Sequence, residues 1–66
     1  MPTKLSYQLK IDDVIVIKRR KYKVLRTMHH YTSPQDYVML NLYDLTRNRE
    51  IAPTSFSFEA EITIGK

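Results

Sequence analysis

The residues best suited to chemistry lie in the segment MHHYTSPQDY, at positions 28–37. A histidine and a carboxylate could activate a serine, and the same residue types could bind a metal ion. Neighbouring residues of a strand point to opposite faces, so His29 and His30 cannot both ligate one metal without a distorted backbone. A tetrahedral site needs further ligands, and only Asp36 lies nearby. Ser33 lacks the glycine-rich surroundings of an activated nucleophile. We therefore expect no metal, no cofactor and no catalysis.

The same segment offers flat rings that could stack on a ligand. Tyr31 and Tyr37 flank the turn residues at 32–36, and His29 and His30 lie beside them. Rings of this kind stack on the unpaired bases of single-stranded nucleic acid. In the alternative interpretation, one histidine packs against the domain, the other lies in solvent, and residues 32–36 form a simple turn.

A dense group of cations precedes this segment, and no acidic residue lies between Asp13 and Asp36. Its members are Lys18, Arg19, Arg20, Lys21, Lys23 and Arg26. The net charge is +4, and most acidic residues lie near the two ends of the chain. This asymmetry is typical of a positive face that binds a polyanion. A basic turn that only keeps a small domain soluble would have the same composition.

Strands must position these residues, because β-branched and aromatic residues dominate and no capped helical pattern occurs. The continuous β-branched run at 14–17 and the segment 22–29 predict two strands joined by the polar break at 18–21. Within the second strand, Tyr22, Val24 and Met28 are expected to share one face. The predicted hairpin therefore has a turn made of cations.

The second half of the chain also predicts strands. Residues 37–43 alternate, with Val38, Leu40 and Leu42 expected to face inward. A loop at 44–49 and a short strand at 50–52 follow, and Pro53 marks a strand end or an edge. The alternation over 56–64 predicts one long strand that bends around the domain.

Length and composition favour one small domain over residues 1–66. Hydrophobic residues make up 42% of its 66 residues, as in folded proteins, and there is no cysteine. The longest apolar run, at 14–17, is far shorter than the roughly 18 residues of a membrane span. We expect a cytoplasmic protein, in the host cytoplasm if it is viral. The strands predict an all-β fold, a small SH3-like barrel of four to six antiparallel strands.

Two stretches carry a family resemblance: LKIDDVIVIKRRKYKV at 9–24 and VMLNLYDLTRNRE at 38–50. Their layout resembles KOW-like barrels and is similar to the N-terminal domain of the translation elongation factor P family. Asp12 stands where that family usually has glycine, and Arg19 and Arg20 replace its glycine turn. The family's modified lysine lies in a loop that matches residues 31–36, which contain no lysine. The resemblance therefore implies the barrel fold without the elongation-factor chemistry.

The cations and rings of this sequence predict two alternative functions. The first is a non-enzymatic module that binds nucleic acid, RNA or a single strand, through the basic hairpin and the aromatic loop. The second is a protein-interaction module, such as a small viral or phage accessory protein that docks on a host enzyme or polymerase. Its anchors would be Tyr31, Tyr37, Met39 and Tyr43, and its basic hairpin would meet an acidic partner. Self-association through an edge near Pro53 stays open.

Overall fold

The computed structural model describes residues 2–32 and 35–65, and its regular elements are antiparallel strands and one 3₁₀ helix, Ser6–Gln8. The strands are β1 (Thr3–Leu5), β2 (Val14–Ile17), β3 (Arg20–His30), β4 (Tyr37–Asp44), β5 (Arg49–Glu50), β6 (Thr54–Ser57) and β7 (Glu61–Ile64). The all-β prediction is confirmed, with seven strands in these ranges rather than four to six. No helix of the described residues has the length and apolar character needed to cross a membrane.

The strands form one sheet in the order β1-β7-β2-β3-β4-β5, and β6 pairs with the first half of β4. One edge is therefore β1, and β5 and β6 share the other edge. No ladder among the described strands joins these edges, so the sheet is open and the closure of the predicted SH3-like barrel is not confirmed. One hydrogen bond of Ser6 links the end of β1 to the β6 edge instead, because its hydroxyl donates to the Ser57 carbonyl. The Ser6 N–H donates to the carbonyl of Ala60, just before β7, at 2.8 Å.

One apolar core lies against the inner face of this sheet. Its buried members are Leu9, Ile15, Val24, Val38, Leu40, Leu42 and Ile62. The inward alternation predicted for β4 is confirmed, since Val38, Leu40 and Leu42 have no exposed surface. Asp44 continues the same face at the end of β4 and is also buried. Its Oδ1 accepts the backbone N–H groups of Thr46 and Arg47, at 2.9 and 3.1 Å.

A β-bulge at Leu25 reverses the faces of β3. Val24 and Arg26 pair with consecutive residues of β4, so Leu25 is an extra residue without a partner in that ladder. An extra residue moves every later side chain to the other face. Met28 therefore lies on the opposite face from Tyr22 and Val24, and the prediction that the three share a face was wrong.

The predicted single strand at 56–64 is two strands separated by a turn at Phe58 and Glu59. The Ala60 N–H donates to the Ser57 carbonyl at 3.0 Å and closes this turn. The halves pair differently, because β6 adds to β4 whereas β7 lies between β1 and β2. The predicted inward set still packs on the core, although a turn interrupts it: Phe56, Phe58, Ala60, Ile62 and Ile64.

Candidate nucleic-acid interface

The tip of the β2–β3 hairpin consists of Lys18 and Arg19 alone, because Ile17 pairs with Arg20. Both tip residues are exposed and have left-handed backbones, with φ of 50° and 67°. Two positive φ angles define a type I′ turn, which matches the twist of a hairpin and favours Asn-Gly. The predicted four-residue cationic turn is thus a two-residue turn, and Arg20 and Lys21 belong to β3.

Register places a mixed set of cations and rings on the outer face of the β3–β4 pair, the face turned away from the core. This outer face carries Lys21, Lys23, Arg26, Met28 and His30 from β3 and Tyr37, Met39, Asn41 and Tyr43 from β4. All of these side chains are exposed or half-buried. The outer face is therefore available to a ligand.

Three of the six predicted cations lie in a row on this outer face. Lys21, Lys23 and Arg26 follow one another along β3, at alternate positions before the bulge and three residues apart across it. Alternate residues of a strand are about 7 Å apart. Lys23 also meets Asp12 across 3.3 Å, a contact that is largely exposed and of little energetic weight. Arg20 pairs with Ile17 and points to the other face, so the structure divides the cationic group.

The predicted aromatic loop is divided as well. His30 and Tyr37 pair across the β3–β4 ladder, and their rings stack on the outer face with centroids 4.7 Å apart and planes 7° apart. The His30 Nε2 is buried and has no hydrogen-bond partner among the described residues. These two rings end the row that begins with Lys21 and passes Tyr43.

His29 and Tyr31 join a different group at the end of the sheet. The Phe58 ring meets their rings edge-on, with both centroid distances at 5.6 Å, and it stacks against Tyr7 at 5.5 Å. The His29 Nε2 is also 3.1 Å from the Tyr7 carbonyl oxygen. Tyr31 is 75% exposed, so this cluster reaches solvent. The four predicted ring residues therefore form two separate pairs rather than one platform.

Sequence reasoning missed Tyr7 and Phe58. Phe58 was assigned only to the apolar alternation of a strand, and the isolated position of Tyr7 gave no signal. The 3₁₀ helix brings Tyr7 to His29, which is distant in sequence.

The histidines and carboxylates of the described residues are not gathered into a metal site. No three His, Asp or Glu side chains within residues 2–32 and 35–65 are arranged to hold a metal ion. Ser33 and Pro34, which belong to the predicted turn, lie outside the described residues.

Comparison with protein-family models and with curated proteins finds no match to this chain. The resemblance to the elongation factor P family stays a prediction. Two positions that depart from that family's glycines, Asp12 and Arg19, have left-handed backbones with φ of 76° and 67°.

Proposed function

We propose that the protein is a non-enzymatic module that binds single-stranded nucleic acid, preferably RNA, on the outer face of β3 and β4. The observation that supports this most is the shared face: Lys21, Lys23 and Arg26 lie on the same face as the Tyr43 ring, which is beside Lys23, and as the His30–Tyr37 stack. Such binding needs cations that hold phosphates and rings that stack on bases.

A single strand suits this face better than a duplex. The bases of a duplex are stacked on one another, whereas the half-buried rings of this face need bases that are free to stack. We expect binding to any nucleotide sequence, because every base has a flat face that can stack on an aromatic ring. We also propose that the protein acts in the cytoplasm, or in the host cytoplasm if it is viral.

The cations of the hairpin tip would enlarge the positive surface that attracts the nucleic acid. Lys18 and Arg19 are exposed at the end of the same hairpin and add positive potential beside Lys21. Their part is attraction of the polyanion rather than recognition of a base, and it weakens with added salt. Arg20 contributes in the same way from the other face.

Neighbouring cations on opposite faces provide a matched test. We expect Lys21→Ala and Arg26→Ala each to remove one phosphate contact. For a single strand, each lost contact lowers the salt slope by about 0.7 and the affinity by about eightfold at ~50 mM salt, or about threefold at ~200 mM. Arg20→Ala removes the same charge from the other face and should change the affinity much less.

The assay is fluorescence anisotropy with a short, labelled, unstructured RNA at both salt concentrations. Tyr43→Leu should weaken binding about tenfold, since one base stack contributes about 1–3 kcal/mol. Equal losses for Arg20→Ala and Lys21→Ala would mean that only net charge matters, and an unchanged affinity in Lys21→Ala and Arg26→Ala would reject the proposed face.

A protein partner is the second candidate, and the observation that favours it is the pair of methionines at the centre of the outer face. Met28 is 40% exposed and pairs with Met39 between Tyr37 and Tyr43. Methionine and tyrosine are common anchors of protein interfaces, and the cations would attract an acidic partner. Tyr31, the fourth predicted anchor, lies in the other aromatic group. A purified complex that survives nuclease and is lost in Met28→Ser would favour this function over RNA binding.

A further inference from the structure

A cleft of about 470 Å³ lies at the other end of the molecule from the cationic tip. Phe58 lines the cleft and contacts the ring of His29, which lies one residue before the end of β3. The tip residues lie immediately before the start of β3, so the cleft and the tip are at opposite ends of this strand. The side chains that define its chemistry are two rings, two carboxylates, an amide and a hydroxyl: Tyr7, Phe58, Asp36, Glu59, Gln35 and Ser57.

Three segments from distant parts of the chain form the walls of this cleft, and hydrogen bonds hold them together. The 3₁₀ helix supplies Tyr7, and the Ser6 bonds described above fix that helix to the β6–β7 turn. The turn supplies Phe58 and Glu59. The Phe58 N–H donates to the Asp36 carbonyl oxygen at 3.4 Å, which fixes the third wall beside the second.

The charge of the walls favours a cation, although Leu5 adds an apolar side chain to them. Asp36 and Glu59 are both exposed carboxylates on a protein whose net charge is +4, so the cleft is a local reversal of the overall charge. Among residues 2–32 and 35–65, no Lys or Arg lines the cleft. Tyr7 is 41% exposed, and the face of a ring attracts a cation that lies over it.

The walls also distinguish between cations. Carboxylate, amide and hydroxyl oxygens would lose water without compensation if the cation had no N–H groups. A planar guanidinium both stacks on a ring and donates paired hydrogen bonds to a carboxylate, which a compact ammonium does not do. A quaternary ammonium donates no hydrogen bond at all.

We propose that this cleft is a binding site for a guanidinium group, with Asp36 and Glu59 as the paired acceptors and Tyr7 and Phe58 as the stacking wall. The group belongs either to an arginine side chain of a protein segment or to a free guanidinium compound. This site does not depend on nucleic-acid binding, since its residues and charge differ from those of the outer face.

The test is an amide-resolved NMR titration of the 66-residue chain with Nα-acetyl-arginine amide. The control ligand is the citrulline analogue, which has nearly the same shape and no charge. We expect saturable shifts at Tyr7, Asp36, Phe58 and Glu59 with the arginine compound, and none with citrulline. Shifts of equal size with both ligands, or arginine shifts that spread over all the acidic residues without saturation, would overturn the proposal.

Isosteric variants locate the site. Glu59→Gln and Asp36→Asn should each weaken arginine binding about tenfold, as expected for one charge-assisted hydrogen bond. Glu50→Gln removes a carboxylate from β5, near the far end of β4, and should leave the affinity unchanged. If Glu50→Gln weakens binding as much as Glu59→Gln, the cleft is not the site.

Two further measurements separate the sources and the proposals. A short peptide with one central arginine that binds more tightly than the free compound would identify a protein segment as the source, and equal affinities would identify a free guanidinium compound. Lys21→Ala should leave arginine binding intact. An RNA affinity about eightfold weaker at ~50 mM salt in that variant, with arginine binding kept, would show that the two sites are independent.

Discussion

The strained tip of the β2–β3 hairpin gives the most direct test of the structure. Arg19 has a left-handed backbone, with φ of 67°, whereas Arg20 is the first residue of β3. Glycine relieves strain at the first position and weakens a strand at the second. Arg19→Gly and Arg20→Gly are the same chemical change at adjacent positions, and each removes one cation. We expect their effects on stability to have opposite signs.

The magnitudes follow from the backbone. A side chain in the left-handed region costs roughly 1–2 kcal/mol of stability, which glycine would relieve. About half of that gain is lost again, because glycine also gives the unfolded chain more conformational freedom. Arg19→Gly should therefore stabilise the fold by about 0.7 kcal/mol. Glycine in a strand costs roughly 0.5–1 kcal/mol, so Arg20→Gly should destabilise it by a similar amount. In a domain of this size 1 kcal/mol corresponds to about 4–8 °C, which puts the two Tm values about 4 °C above and below the parent.

Thermal unfolding followed by circular dichroism measures both variants under identical conditions. Relief of charge repulsion within the cationic group is the same in each, so it cancels in the comparison. Shifts of the same sign and similar size would show that charge, and not backbone strain, dominates at this tip. Such a result would refute the reasoning from φ. A more stable Arg19→Gly that binds RNA less well would also exclude unfolding as the cause of the weaker binding.

Substitutions at three other positions, Leu40, Asp44 and Gly65, test the packing. Leu40→Ala, at a side chain with no exposed surface, should cost about 2–5 kcal/mol in urea unfolding, and a smaller loss would mean that the site collapses around the cavity. Asp44→Ala removes the acceptor of two loop N–H groups and should cost about 1–2 kcal/mol, whereas Asp44→Asn can keep the Oδ1 acceptor and should cost less; equal losses would argue against these bonds. Gly65→Ala would place a Cβ 2.6 Å from Val16 Cγ2 and should cost about 1–3 kcal/mol, part of which Val16→Ala should restore in the double variant if that clash is the cause.

The sequence correctly predicted the strands whose apolar pattern matches the side chains that the fold buries. The run at 14–17 and the alternation at 38–42 are both strands, because β-branched and alternating apolar residues fit a half-buried sheet. The turn at Phe58 and Glu59 escaped prediction, since residues on both sides of it alternate and pack on the same core. The short β1 escaped it too, because its pairing depends on residues from the other end of the chain.

The site was predictable in composition and not in arrangement. The cations are evident from the sequence, but their division between faces follows from the register and from the bulge at Leu25, which apolar alternation cannot reveal. His29 and His30 were expected on opposite faces, as adjacent strand residues, and each is found with its own aromatic partner. Tyr7 could not be predicted as a site residue, because only the fold brings it next to His29.

The position of β7 between β1 and β2 sets the order in which the sheet can assemble. Strands β2, β3 and β4 are consecutive and can form through short connections, whereas Thr3 pairs with Thr63 and the Ile64 N–H donates to the Pro2 carbonyl at 2.9 Å. Bringing the two ends of the described chain together costs entropy before any contact repays it. We therefore expect strands β2, β3 and β4 to form first and the two ends of the described chain to pair late. A circular permutant that joins position 65 to position 2 and opens within the β4–β5 loop would already hold β1 and β7 close together. It should therefore refold faster into the same sheet.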